Sequence, residues 1–184
     1  DTQSRERINE EVVVEYAAAM ESSVPGQPWP PLTVYYDGVD HWLADGFHRL
    51  LAAKRIGREN ALADVMAGTR DDAAWAACGA NLSHGLRRTN ADKRKVVQIA
   101  LGLHPEMSDD AIGRHVGVTR EYVLRRRHDL NDQGVIKSHP GRRVGVDGKS
   151  YPPPPVRRGS APPPSQTERR LTPPSLEEAE ARRA

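Results

Sequence analysis

Between Ser108 and His128 the chain reads SDDAIGRHVGVTREYVLRRRH, and few backbone arrangements satisfy that run. Ser108 can cap a helix whose apolar positions Ala111, Ile112 and Val116 face inward. Gly117 permits a tight turn, Val118 plugs the small core, and Thr119 caps a second helix whose Val123 packs back on the first. The pattern predicts a helix-turn-helix. On its second helix Thr119, Arg120, Tyr122, Arg125 and Arg126 are the candidates for groove or phosphate contact. At about 100° per residue, Arg125 to Arg127 cannot all face one way, so one of them serves phosphate or solvent. The helix has no obvious Asn or Gln to read a base, and backbone binding with a steep salt dependence is the expectation. A purely structural helix pair is the competing reading.

The distribution of charge favours a polyanionic partner, with DNA the first candidate. Residues 1–86 hold 7 Lys and Arg against 13 Asp and Glu, residues 87–127 hold 10 against 5, and residues 137–184 again 10 against 5. An acidic front thus precedes a basic middle and a basic tail. A solvated helix face gives the same count, so charge alone does not decide. Hydrophobic residues are 37% of the chain, and 10 of the 15 prolines lie from Pro140 onward. Part of the chain therefore joins no core, and the prolines say it is the C-terminal part. Tyr151–Val156 and Ala161–Pro164 favour extended polyproline, which a protein partner can read. Cys78 is the single cysteine, excluding an internal disulfide, and reads as a small core residue. No apolar run approaches the roughly 20 residues that cross a bilayer, and no signal peptide is evident. The expected setting is a reducing bacterial cytoplasm, without a membrane partner.

Apolar spacing predicts a helix over Glu10–Ser22 capped by Asn9, with Val13, Tyr16, Ala17 and Met20 on one face. Short strands follow at Leu32–Tyr36 and His41–Ala44, joined by an Asp37-Gly38 turn. Then come a helix from Phe47 to Ile56, a third strand within Asn60–Met66, an Ala-rich helix over Asp71–Leu82, and a helix from Thr89 to Leu103. The fold class is α+β: a small mixed sheet with helices, then an all-helical helix-turn-helix region and a disordered tail. The domains expected are residues 1–86, 87–136 and 137–184.

The most informative segment for ligand chemistry is Leu43-Ala44-Asp45-Gly46-Phe47-His48-Arg49, a strand, a glycine turn and a helix start. A helix N-terminus presents unpaired amides and partial positive charge to an anion. Gly46 lets backbone come close to a ligand, Arg49 can fork onto phosphate oxygens, and His48 can donate or exchange a proton. The plain structural reading has Asp45 as a cap and Arg49 in a surface pair. Gly46-Phe47-His48-Arg49 resembles the phosphate-holding motif of the ParB/sulfiredoxin superfamily, which reads Gly-Glu-Arg-Arg in ParB partition proteins and Gly-Cys-His-Arg in sulfiredoxins. The order of flanking elements is similar over about residues 3–130, and in ParB relatives a helix-turn-helix follows the nucleotide module. The resemblance implies a nucleoside triphosphate ligand, ATP or CTP with Mg²⁺, held by Gly46, Phe47, His48, Arg49 and Asn81, with Arg87 and Arg88 nearby. It departs in two places. Phe47 stands where sulfiredoxins carry their nucleophilic Cys, which excludes that activity. In the third motif, Ala80 and His84 stand where ParB proteins carry Glu and Arg.

Members of this superfamily encoded on plasmids include fertility inhibitors that act as ATPases and DNases. One reading is therefore a nucleoside triphosphatase, with or without nuclease activity, of a plasmid or other mobile element. Asp45, His48 and His84 would then hold a metal or activate water. The alternative is a DNA-binding transcription or partition regulator that uses nucleotide as a switch. The metal, the base and the oligomeric state, a homodimer included, stay open at this point.

Overall fold

Asn9 starts the first helix, α1 (Glu10–Glu21), by accepting hydrogen bonds from the amides of Glu11 and Val12 at 3.0 and 3.4 Å. The computed structural model describes residues 2–23, 29–80, 87–136, 141 and 143–152. Val13, Ala17 and Met20 form the buried stripe of α1 and share a core with Ala52 and Ala53 of a helix further on. Tyr16, expected on that stripe, is half-buried and tilts against Trp29 with ring centroids 5.6 Å apart.

Strand β1 (Leu32–Tyr36) pairs antiparallel with β2 (His41–Asp45) across the expected turn. Asp37 builds that turn: its Oδ1 accepts from the amides of Val39 and Asp40 at 2.9 and 2.7 Å, and its Oδ2 from Trp42 Nε1 at 2.7 Å. These donors favour the carboxylate and hold its pKa down at about 2. Helix α2 (Phe47–Arg55) follows, and then β3 (Ala63–Ala67), which lies parallel to β1. The order is β2-β1-β3. Parallel neighbours need a long connection, and β2 with α2 supplies it. Between β1 and β2 the register slips: Thr33 faces Asp45 while Val34 faces Leu43, leaving Ala44 as an extra residue. Such a bulge bends the strand, here one residue before the turn into α2.

Helices α3 (Arg70–Gly79) and α4 (Asn90–Leu103) each begin with a capping box, Thr69 with Asp72 and Thr89 with Asp92. Helices α5 (Asp109–Val116) and α6 (Arg120–Asp132) complete the helical part. Their common core is Cys78, Val96, Val97, Ala100, Leu101, Ile112, Val116, Val123 and Leu130. Cys78 is the small core residue expected: it has no exposed surface, and burial pushes its thiol up to about 12.

The region from Lys137, read as patternless, contains a short hairpin. Strands β4 (Arg143–Val144) and β5 (Ser150–Tyr151) pair antiparallel, and Val144 bridges to Met107 beside the start of α5. Two backbone hydrogen bonds seal that junction, Ser108 N–H to Val144 O at 2.8 Å and Val144 N–H to Glu106 O at 2.9 Å. Two-residue strands are too short to show alternation, so only their docking reveals them. Asp1–Pro153 forms one compact unit. The proline-rich segment from residue 153 lies outside the described residues. No helix among the described residues is long and apolar enough to cross a membrane.

Candidate anion cleft and nucleic-acid interface

The bend at the end of β2 has the form its sequence suggested. Gly46 is the N-cap of α2 with φ 98°, and no side chain caps that helix start. A Cβ there would lie 2.4 Å from Leu32 Cδ2 and 3.2 Å from Arg49 Nη2, so the position needs glycine for both space and backbone. Arg49 turns back over the bend. Its Nη2 is 3.0 Å from Asp45 Oδ2, and its Nη1 donates to the carbonyls of Pro30 and Pro31 at 2.5 and 2.9 Å. The two side chains are 17% and 32% exposed, so a phosphate approaching Arg49 competes with a carboxylate already in place. Asp45 therefore pairs with Arg49 and does not cap α2.

His48 sits half-buried in the same wall, and its Nε2 accepts the Asn9 amide proton at 3.2 Å. That contact places the ring proton of the neutral form on Nδ1. Burial, and then the charge of Arg5, keep the His48 pKa below its ordinary value. Arg5, Tyr16, Asp45, Gly46, Phe47, His48 and Arg49 line a cleft of about 70 Å³. By the same measure a single water needs about 10–15 Å³, so the cleft has room for a small group. Arg5 is the cleft residue that sequence reasoning missed. It lies 3.6 Å from Asp92 Oδ2 on α4 and precedes α1 with no periodic pattern to mark it.

Of the outlying candidates, Asn81 and His84 lie outside the described residues, and Arg87 is exposed. Arg88 is engaged within the protein: its Nη1 donates to Val116 O at 2.9 Å, and its Nη2 to the carbonyls of Ala77, Cys78 and Ala80 at 3.2, 2.8 and 2.8 Å. It closes the C-terminus of α3, where the last carbonyls want a donor, and ties it to the end of α5. His115 adds a second tie, stacking flat on Trp75 with centroids 3.6 Å apart.

The helix-turn-helix is closed by the residues that announced it. Ser108 and Thr119 accept from the amides of Ala111 and Tyr122, at 3.1 and 3.3 Å. Gly117 takes φ 74°, and Val118 N–H returns to Gly113 O at 2.9 Å. Gly113 is a requirement that periodicity did not disclose, since a Cβ there would lie 2.8 Å from Val118 O. Beneath α6, Asp109 is 3% exposed and takes two guanidinium groups, Arg127 Nε at 2.7 Å and Arg143 Nη1 at 2.6 Å. Arg127 also donates to the carbonyls of Pro105 and Met107 at 2.9 and 2.8 Å. Of the five DNA candidates, Thr119, Arg120 and Arg125 are exposed, while Tyr122 and Arg126 are half-buried. Tyr122 packs against the helical core, and Arg126 pairs with Asp129 at 3.1 Å.

The fold and these two sites define a small α+β module with an anion-suited bend, backed by a braced helix-turn-helix. Proteins similar to the chain include two from Streptomyces. One, from Streptomyces griseus, is named "Streptomycin biosynthesis operon possible regulatory protein" and is 32% identical over 112 residues, which is 61% of this chain and 31% of that protein. Another is the transcriptional regulator NovG of Streptomyces niveus, 31% identical over 123 residues, 67% of this chain and 36% of that protein. The chain thus spans about a third of the length of these relatives. Among solved structures, the C-terminally truncated chromosome-partitioning protein ParB from Caulobacter crescentus, complexed to the centromeric parS site, is similar with a TM-score of 0.45 and 14% identity. That likeness covers 74% of this chain and 73% of the ParB chain. No family model matches the chain.

Proposed function

We propose that this chain is a DNA-binding transcriptional regulator of ParB-like build, with a phosphate-bearing ligand as its switch. The observation that carries the DNA reading is α6. It is capped by Thr119, seated on the core by Val123, Arg127 and Leu130, and exposes Arg120, Arg125 and His128. A rigidly seated helix that exposes arginine side chains is what a DNA groove accepts. The names of the two relatives, one a possible regulatory protein and the other a transcriptional regulator, support the same reading. The test is binding of the full chain to labelled duplex DNA, followed by fluorescence anisotropy between 50 and 200 mM salt. Neutralising several phosphates should cost orders of magnitude in affinity over that range, and a flat response refutes phosphate contact.

The cleft favours the switch. An uncapped helix start, Gly46 with no side chain in the way, and the guanidinium groups of Arg5 and Arg49 suit a phosphate group. Among the described residues no group of three or more His, Cys, Asp or Glu is placed to hold a metal, so Mg²⁺ would arrive largely on the phosphates. Calorimetric titration with ATP and with CTP tests this, and Arg49→Ala should abolish binding while circular dichroism stays native. Unchanged affinity in that variant eliminates the site. The triphosphatase or nuclease reading is separated by incubation with nucleotide, Mg²⁺ and plasmid DNA. Phosphate release or nicking lost in a His48/Arg49 double variant favours the enzyme, and binding without turnover favours the regulator.

A further inference from the structure

The outermost face of the second helix of the helix-turn-helix holds only part of the set its sequence nominated, and residues that set left out. Val123, Arg127 and Leu130, at 0%, 3% and 1% exposure, anchor α6. At about 100° per residue these three fall within one narrow arc, and Glu121, Arg125, His128 and Asp132 fall on the opposite side. All four are exposed. Tyr122 and Arg126 lie on the flank, one against the core and the other 3.1 Å from Asp129, and the Thr119 hydroxyl is engaged in the cap. Asp132 closes the last turn, far from the capped end. Glu121, Arg125 and His128 therefore form the outward face of the helix.

Glu121 is the informative member. Among the described residues of the helix-turn-helix the other carboxylates up to Asp129 are engaged: Asp109 by Arg127 and Arg143, Asp110 by Arg114 at 3.1 Å, and Asp129 by Arg126. No described ion pair engages Glu121, although Arg120 adjoins it and Arg125 stands one turn away. Its place in the first turn suits the helix dipole, but so would a place on the flank. An unneutralised carboxylate on the face that meets a polyanion is repelled, unless it finds a base donor there. In the major groove the N4 amino group of cytosine is that donor for Glu, while the O6 and N7 acceptors of guanine repel it. Arg125 has the complementary chemistry. Its Cζ lies 5.9 Å from the Tyr122 ring centroid, which steers the guanidinium along the helix, and a fork of N–H groups matches guanine O6 and N7.

We propose, on the reading that this chain binds DNA, that Glu121, Arg125 and His128 are its specificity-determining residues, with Glu121 selecting cytosine and Arg125 selecting guanine. At about 1.5 Å of rise per residue, Glu121 and His128 lie about 10 Å apart, close to three base-pair steps of about 3.4 Å. The face therefore selects a core of three or four base pairs rich in G·C.

The experiment is selection of bound duplexes from a randomised library with the full chain, repeated for Glu121→Gln and Arg125→Ala, with circular dichroism to check folding. The wild type is expected to enrich a short G·C-rich core. Glu121→Gln is expected to exchange the cytosine preference for adenine, because Gln pairs with adenine N6 and N7. Arg125→Ala is expected to lose the guanine preference and at least about fivefold in affinity for the selected duplex. An unchanged motif in Glu121→Gln overturns the assignment, as does an Arg125→Ala variant that weakens all duplexes equally and only lowers the salt slope. Absence of duplex binding by the wild type defeats the DNA reading itself, and this proposal with it.

Discussion

Asp109→Ala is the substitution that most sharply tests how this helix-turn-helix is held. The carboxylate is 2% exposed and bridges Arg127 of α6 and Arg143 of the β4–β5 hairpin at 2.7 and 2.6 Å. Removing it leaves two guanidinium groups, on side chains 4% and 11% exposed, without their carboxylate. Arg127 keeps the carbonyls of Pro105 and Met107, whereas Arg143 Nε, already buried without a partner, is left worse placed. Breaking a buried ion pair by deleting one partner costs about 3–5 kcal/mol. Set against a total stability on the order of 5–15 kcal/mol, that is a large fraction. At roughly 2–4 °C per kcal/mol for a chain of this size, the melting temperature should fall by about 6–20 °C. Urea unfolding followed by circular dichroism measures the loss directly. Replacing all three charges with apolar residues, as in Asp109→Leu with Arg127→Met and Arg143→Met, should recover most of it, since a buried ion triad often gives way to packed apolar groups without loss. A loss below about 1 kcal/mol in Asp109→Ala, with unchanged urea dependence, would refute the clamp.

Three further expectations follow from the same geometry. Gly46→Ala must push Leu32 aside and hold a positive φ, so it should destabilise by roughly 1–3 kcal/mol and impair any anion binding in the cleft, readable by urea unfolding and calorimetry. His48 and His115 both have folded pKa values below the ordinary 6.5, chiefly through burial. Their neutral forms therefore stabilise the fold fully above the unfolded value, and that contribution is lost as pH falls below about 6.5 toward the folded values. Urea midpoints measured from pH 7.5 to 5.0 should fall on acidification and flatten in a His48→Gln/His115→Gln variant; an equal slope in both would exclude these rings as the cause. Cys78, with its thiol at about 12 and no exposed surface, should resist iodoacetamide in the native chain and react quickly in urea, and fast native alkylation would contradict its burial.

The order of elements and the local devices were legible in the residues themselves. Asn9, Thr89, Ser108 and Thr119 cap the helices they were expected to cap, because a side-chain oxygen next to an amide run acts within three residues. The Gly46 and Gly117 turns were legible for the same reason: backbone sterics are local. What pairs with what across long stretches of chain was decided only in three dimensions. Arg88 and Arg127 look like any other basic residues in sequence, yet both are committed to carbonyls or carboxylates brought in by packing. Arg143 read as part of a tail and belongs beneath α6. The seating of α6 on Val123, Arg127 and Leu130 likewise chose which of its polar side chains face outward, moving Tyr122 and Arg126 aside and bringing Glu121 and His128 forward. Periodicity marks the apolar side of a helix, but a buried arginine counts as polar in any sequence reading, and only the carboxylate that meets it shows which way the helix is turned.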